Sequence, residues 1–130
     1  MRTRLEALAR ILGWLAVIVI IVLSVLPGED RPHTGVSGHF EHVIAYSITA
    51  ALLTFGYKGW RSAITIVSGL AFLAGLMEFF QIYIPGRHSG FDDFASSAIG
   101  AIFGIALANV LSWDPKDQSP PMTRRHIDRQ

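Results

Sequence analysis

No cysteine occurs in the 130 residues, which rules out a disulfide, a zinc thiolate centre and a thiol nucleophile together. Charge is scarce as well: Asp, Glu, Lys and Arg make up 16% of the chain, against about 25% in an ordinary soluble domain. With 51% of residues hydrophobic, a soluble fold has too little polar surface to cover its apolar runs. The net charge of +1 supplies no basic field, so nucleic acid is not an expected partner and the placement of single charges matters more than their sum. No internal repeat is visible, which argues against a transporter built from inverted halves.

What the chain does have is four apolar stretches, and these predict an all-α fold: an integral membrane bundle of four transmembrane helices, with spans at about 11–28, 38–57, 62–84 and 93–113. The first carries no charge from Ile11 to Gly28, long enough for a spanning helix, and follows Arg2, Arg4 and Arg10. It is expected to stay as an anchor, because residues 23–27 (Leu-Ser-Val-Leu-Pro) offer no small-x-small cleavage site. The second needs to begin near Gly38 to reach about 30 Å, which places Glu41 and His42 one turn inside its first end. The third is interrupted by Glu78 and Gln81 and is stopped by Pro85-Gly86. The fourth closes on Trp113, an interfacial aromatic, with Asp114-Pro115 behind it. Residues 1–10 read as a cytoplasmic N-terminus and 114–130 as a polar cytoplasmic tail with no fold of its own.

Lysine and arginine set the orientation, since positive flanks stay in the cytoplasm. With both termini cytoplasmic, nine of the eleven basic residues lie inside and only Arg31 and Arg87 lie outside. Spans two and four then begin outside and span three ends there. That parity gathers His39, Glu41 and His42, then Glu78, Gln81, Pro85, Gly86 and Arg87, then Asp92 and Asp93, at one membrane face. Glu78, seven residues before Pro85, is expected about 10 Å inside the outer helix end.

Each of these groups also has a plain structural use. Asp92 and Asp93 precede a helix and suit its N-terminal amides and dipole, with Arg87 as an ion-pair partner for one of them. His42 and Tyr46, one turn apart, suit an interhelical hydrogen bond. Tyr83 suits an aromatic belt, and His33, His39 and His88 suit wet loops. Glu78 has fewer harmless uses, because an intramembrane carboxylate is costly unless it has a role. Gly100-x-x-x-Gly104, with Ala108 one turn on, is a packing stripe. Internal packing is its expected use, and a homodimer through Gly100 and Gly104 is the alternative.

Taken together, Glu41-His42-x-x-x-Tyr46, Glu78-x-x-Gln81 leading into Pro85-Gly86-Arg87, and Asp93 ahead of Gly100 make the segment from residue 38 to about 108 resemble the VanZ-like membrane proteins. The matching positions are His42, Tyr46, Glu78, Gln81, Arg87 and Asp93. Two departures stand out. Many members carry Asp-Lys where this chain has Gly38 and His39, and an asparagine where it has Ser97. His39 replaces the lysine charge only when protonated. The family takes its name from a glycopeptide (teicoplanin) resistance protein, so the resemblance implies the bacterial cell envelope, the inner membrane and a link to antibiotic resistance.

The expected site therefore has Glu78 and His42 as acid and base, with Asp93 orienting His42 or Arg87. Arg87 would hold an anionic headgroup through its planar donor fork, with Gln81, Tyr46, Glu41 and His39 completing the binding surface. The expected partner is a membrane lipid or a lipid-linked envelope precursor, bound or chemically modified. No serine is placed like an activated nucleophile. The same residues equally describe a binding module that makes and breaks no bonds. No cofactor is required, although Glu41, His42, Glu78, His88, Asp92 and Asp93 offer oxygen and nitrogen ligands for a divalent metal such as zinc or manganese.

Overall fold

The computed structural model of the chain describes residues 2–30, 35–87 and 90–112. Among them all regular structure is helical: α1 (Arg2–Val25), one turn of 3-10 helix (Gly28–Asp30), α2 (Gly38–Gly56), α3 (Trp60–Gln81) and α4 (Phe91–Leu111). The helices run up and down. Helix α2 touches all three others, α1 and α4 each also meet α3, and the order around the bundle is α1, α2, α4, α3. The start of α1 and the α2–α3 turn form one end of the molecule, here the turn end. The end of α1, the starts of α2 and α4, and the end of α3 form the other, the site end.

Four boundaries in particular differ from the expected ones. Helix α1 starts at Arg2 rather than near Ile11, because residues 5–10 (Leu-Glu-Ala-Leu-Ala-Arg) are strong helix formers and Ala9 is buried against the bundle. It stops at Val25 because the residue before Pro27 is pushed out of the helical region. Helix α3 ends at Gln81 rather than Ile84. The chain then tightens into i to i+3 turns, with the Tyr83 amide donating to Phe80 at 3.0 Å and that of Ile84 to Gln81 at 3.2 Å. Glu78 therefore lies in the last turn of α3, half-buried, and not two turns deep. Helix α4 starts at Phe91, with Gly90 at its N-cap position, so Asp92 and Asp93 sit in its first turn instead of ahead of it. Trp113 and the tail from 114 to 130 lie outside the described residues, as do His33 and His88.

The packing is inverted relative to a soluble protein. Ala50 and Ala101 are wholly buried, and Thr49, Ala74 and Ser97 nearly so, while Phe72 is 73% exposed and Val110 72%. Small residues let helix backbones approach and large apolar ones face outward, which is how helices pack in lipid. An apolar exterior of this extent is not that of a monomeric soluble domain. Helices α1, α3 and α4 are each long and apolar enough to cross a membrane. Helix α2 has 19 residues but opens with His39, Glu41 and His42 and carries Tyr46, Ser47, Thr49 and Thr54. Its polar residues Tyr46, Thr49 and Thr54 are buried against its neighbours, while Phe40 and Ile48 face outward.

The tightest contact is between α2 and α4. A Cβ on Gly100 would come within 2.5 Å of the Val43 carbonyl oxygen, and one on Gly104 would overlap the Ser47 carbonyl. The Ser47 hydroxyl donates to the Gly100 carbonyl at 2.9 Å across this seam. The Gly100 and Gly104 stripe is thus taken up inside the chain. A homodimer through that stripe would require α2 to leave it.

Candidate functional site

The site end is built on the way α1 stops. A helix C-terminus leaves carbonyls without amide partners and carries the negative end of the helix dipole. Here the Arg87 Nε donates to the Leu26 carbonyl at 3.1 Å and its Nη2 donates to that of Leu23, while Gln81 Nε2 donates to the Ser24 carbonyl at 3.3 Å. Gln81 is 2% exposed. The Pro85-Gly86-Arg87 turn that delivers the guanidinium places Gly86 at φ +72°, a conformation that favours glycine. The Gly28 amide closes the joint by donating to the Pro85 carbonyl at 3.2 Å. Arg87 and Gln81, both expected as headgroup contacts, thus spend these donors on the backbone of α1. The guanidinium keeps its charge while doing so.

Beside that joint, between the second half of α1 and the first half of α2, lies a groove of about 350 Å³. Glu41, His42, Tyr46, Gln81 and Arg87 share its wall with apolar side chains such as Val19, Leu23 and Ile44. Five of the eight residues expected at the site therefore line one concave surface. The His42 and Tyr46 rings, one helical turn apart, lie 6.3 Å between centroids and 30° from parallel. Tyr46 is 2% exposed, so the groove reaches only its edge.

On the other side of His42 the ends of three helices meet. His42 from α2, Glu78 from α3 and Asp93 from α4 each present one ligand atom, and these lie within 4.8 Å of one another. Each group is held from behind. Glu78 Oε2 accepts the Gly90 amide at 2.9 Å, so this carboxylate, rather than Asp92 or Asp93, satisfies an amide at the start of α4. The Ser97 hydroxyl donates to the Asp93 backbone carbonyl at 2.9 Å and lies 3.2 Å from His42 Nδ1. The hydroxyl has one hydrogen for these two contacts, so when it goes to the carbonyl the ring contact is Nδ1–H of His42 donating to Ser97. His39 Nδ1 sits 2.8 Å from Asp93 Oδ1 on a side chain that is 58% exposed. That oxygen is nevertheless buried with no hydrogen-bond donor aligned on it among the described residues.

The charges in this cluster are out of balance. At a separation of at most 4.8 Å, two ionised carboxylates repel by roughly 3 kcal/mol at an effective dielectric of about 20. Arg87, which acts electrostatically on Glu78, offsets part of this repulsion, and a shared proton, a charged imidazole or a cation would offset the rest.

Of the eight residues expected at the site, His42, Glu78 and Asp93 come together, with His39 at their edge. Glu41 and Tyr46 face the groove, and Arg87 and Gln81 join it from the α1 cap. Asp92 is exposed on the first turn of α4. Ser97 and the Gly90 amide were not among the expected site residues. The signal for Ser97 was its spacing, four residues after Asp93 and so on the same helix face. Ser97 is 1% exposed, which leaves a substrate no approach to its hydroxyl and makes it a positioning group for His42. Acid-base or ligand chemistry is what these side chains offer. Comparison of the chain with protein-family models, with curated proteins and with solved structures returned no match.

Proposed function

We propose that this chain is a VanZ-like integral protein of the bacterial inner membrane that binds an anionic lipid or lipid-linked envelope precursor at its non-cytoplasmic face. In this topology α2 is the fourth span and both termini are cytoplasmic, the orientation that keeps nine of eleven lysines and arginines inside. A link to glycopeptide resistance follows from the resemblance of Glu41-His42, Glu78-x-x-Gln81, Pro85-Gly86-Arg87 and Asp93 to that family.

The observation that carries the proposal is the composition of the α1–α2 groove. An apolar wall that ends in Glu41, His42, Tyr46, Gln81 and Arg87 matches an amphiphile, with acyl chain along Val19 and Leu23 and headgroup at the polar end. The Arg87 guanidinium supplies the positive charge for an anionic group. A second use, chemical modification of the bound lipid, is favoured by the acid-base set of His42 and Glu78, with Asp93 beside them.

The test is lipid identification by mass spectrometry on protein extracted without stripping its lipids. The expected result is one anionic species enriched over the bulk membrane, and lost from an Ala45→Leu variant that fills the groove. A bound population identical to the bulk membrane in both proteins would overturn the proposal. Incubating wild type and Glu78→Gln with lipid-linked precursors then separates the two uses: product formation by wild type alone means catalysis, and binding without product means a recognition module.

A further inference from the structure

The groove does not account for Glu78 and Asp93. They meet His42 on the α3–α4 side, at the termini of three different helices, and each of the three groups has a neighbour behind it: the Gly90 amide for Glu78, Ser97 for His42, and the exposed His39 for Asp93. Orientation of a ligating side chain by hydrogen bonds from behind is the usual construction of a metal centre. Two carboxylates and a neutral imidazole carry two negative charges, which Arg87 near Glu78 and His39 beside Asp93 offset from outside the cluster and a divalent cation would offset within it. The buried Asp93 Oδ1, without an aligned donor, is the acceptor such an ion would satisfy.

We infer that His42, Glu78 and Asp93 bind one divalent cation of the zinc or manganese class. One imidazole nitrogen and two carboxylate oxygens are the donors those ions take, and three protein ligands leave coordination positions for water or a phosphate oxygen. Ligand atoms about 2.1 Å from an ion stand at most about 4.2 Å apart. The three atoms here lie within 4.8 Å, so small side-chain rotations close the site. This cation site requires no occupant in the groove and so stands apart from lipid binding there, but it is an alternative to the acid-base use of His42 and Glu78, which become ligands when the ion is bound.

The test uses the full chain in detergent, freed of metal with a chelator and titrated calorimetrically with Zn²⁺ and, separately, with Mn²⁺, no lipid being added. One ion per chain is expected for at least one of the two metals. Affinity should fall about tenfold or more in His42→Gln and Asp93→Asn. It should be unchanged in Asp92→Asn, which removes a neighbouring carboxylate outside the cluster. The same ion should raise the unfolding temperature of wild type and leave that of Asp93→Asn unmoved. Should Asp93→Asn fail to fold, Glu78→Gln makes the comparison, since its amide oxygen still accepts the Gly90 amide. No stoichiometric binding of either ion, or equal losses in Asp92→Asn and Asp93→Asn, would refute the site. Because no lipid is added, a failed titration leaves the proposed lipid binding standing, and a successful one owes it nothing.

Discussion

The two ends of the bundle hold the same kinds of side chain and use them differently. At the turn end most of the charges described have found a matching neighbour. Lys58 Nζ lies 2.7 Å from Glu6, Arg10 Nε donates to the Gly56 carbonyl at 2.7 Å with its guanidinium 5.0 Å above the Tyr57 ring, and Trp14 Nε1 donates to the Tyr57 hydroxyl at 3.1 Å. These contacts clip α1 to the α2–α3 turn. At the site end, Arg87 and Gln81 perform the same clipping for the other end of α1, but Glu78 and Asp93 are brought together with like charge. The two ends thus differ in kind: one clips α1 through its own chain, and the other gathers a histidine and two carboxylates from three helix termini.

This difference can be broken or sharpened by substitution, beginning with the largest effect. Arg87→Met should cost about 3 kcal/mol, because it leaves carbonyls at the end of α1 without a donor. Thermal unfolding in detergent measures this, and a loss confined to lipid binding would make Arg87 a recognition residue instead of a clip. Arg10→Met should cost about 2 kcal/mol through the Gly56 hydrogen bond and the Tyr57 ring, with no effect on bound lipid. Glu78→Gln should do the reverse and, in chelator, stabilise the protein by about 1 kcal/mol by relieving the repulsion with Asp93. A loss of stability there would mean that the carboxylate is a structural cap for α4 and nothing more. Lys58→Met should change stability by less than about 1 kcal/mol, since an exposed ion pair is worth little.

Much of this architecture is legible in the residues, and the reasons for the rest are physical. Four helices follow from the apolar runs, and the gathering of His42, Glu78 and Asp93 at one end follows from helix parity alone. Where helices stop is less legible. Pro85 marks a break, yet α3 ends four residues earlier because the chain tightens into turns, and α4 begins at Phe91 behind a glycine with no capping side chain. Least legible is the rotation of each helix and the reach of each side chain. Nothing in Glu78-x-x-Gln81 indicates that the carboxylate turns to the Gly90 amide while the amide three residues on turns to Ser24. Ser97 appeared only as a departure from a family pattern, and its contact with His42 depends on the close approach of α2 and α4 at Gly100.

The convergence of three helix termini can be measured directly because the chain has no cysteine of its own. In native membranes, a Glu78→Cys/Asp93→Cys double variant and a His42→Cys/Asp93→Cys double variant should each crosslink in high yield with a short thiol-specific reagent, while Glu6→Cys/Asp93→Cys, joining opposite ends, should not. Failure of both site-end pairs to crosslink would contradict the shared site.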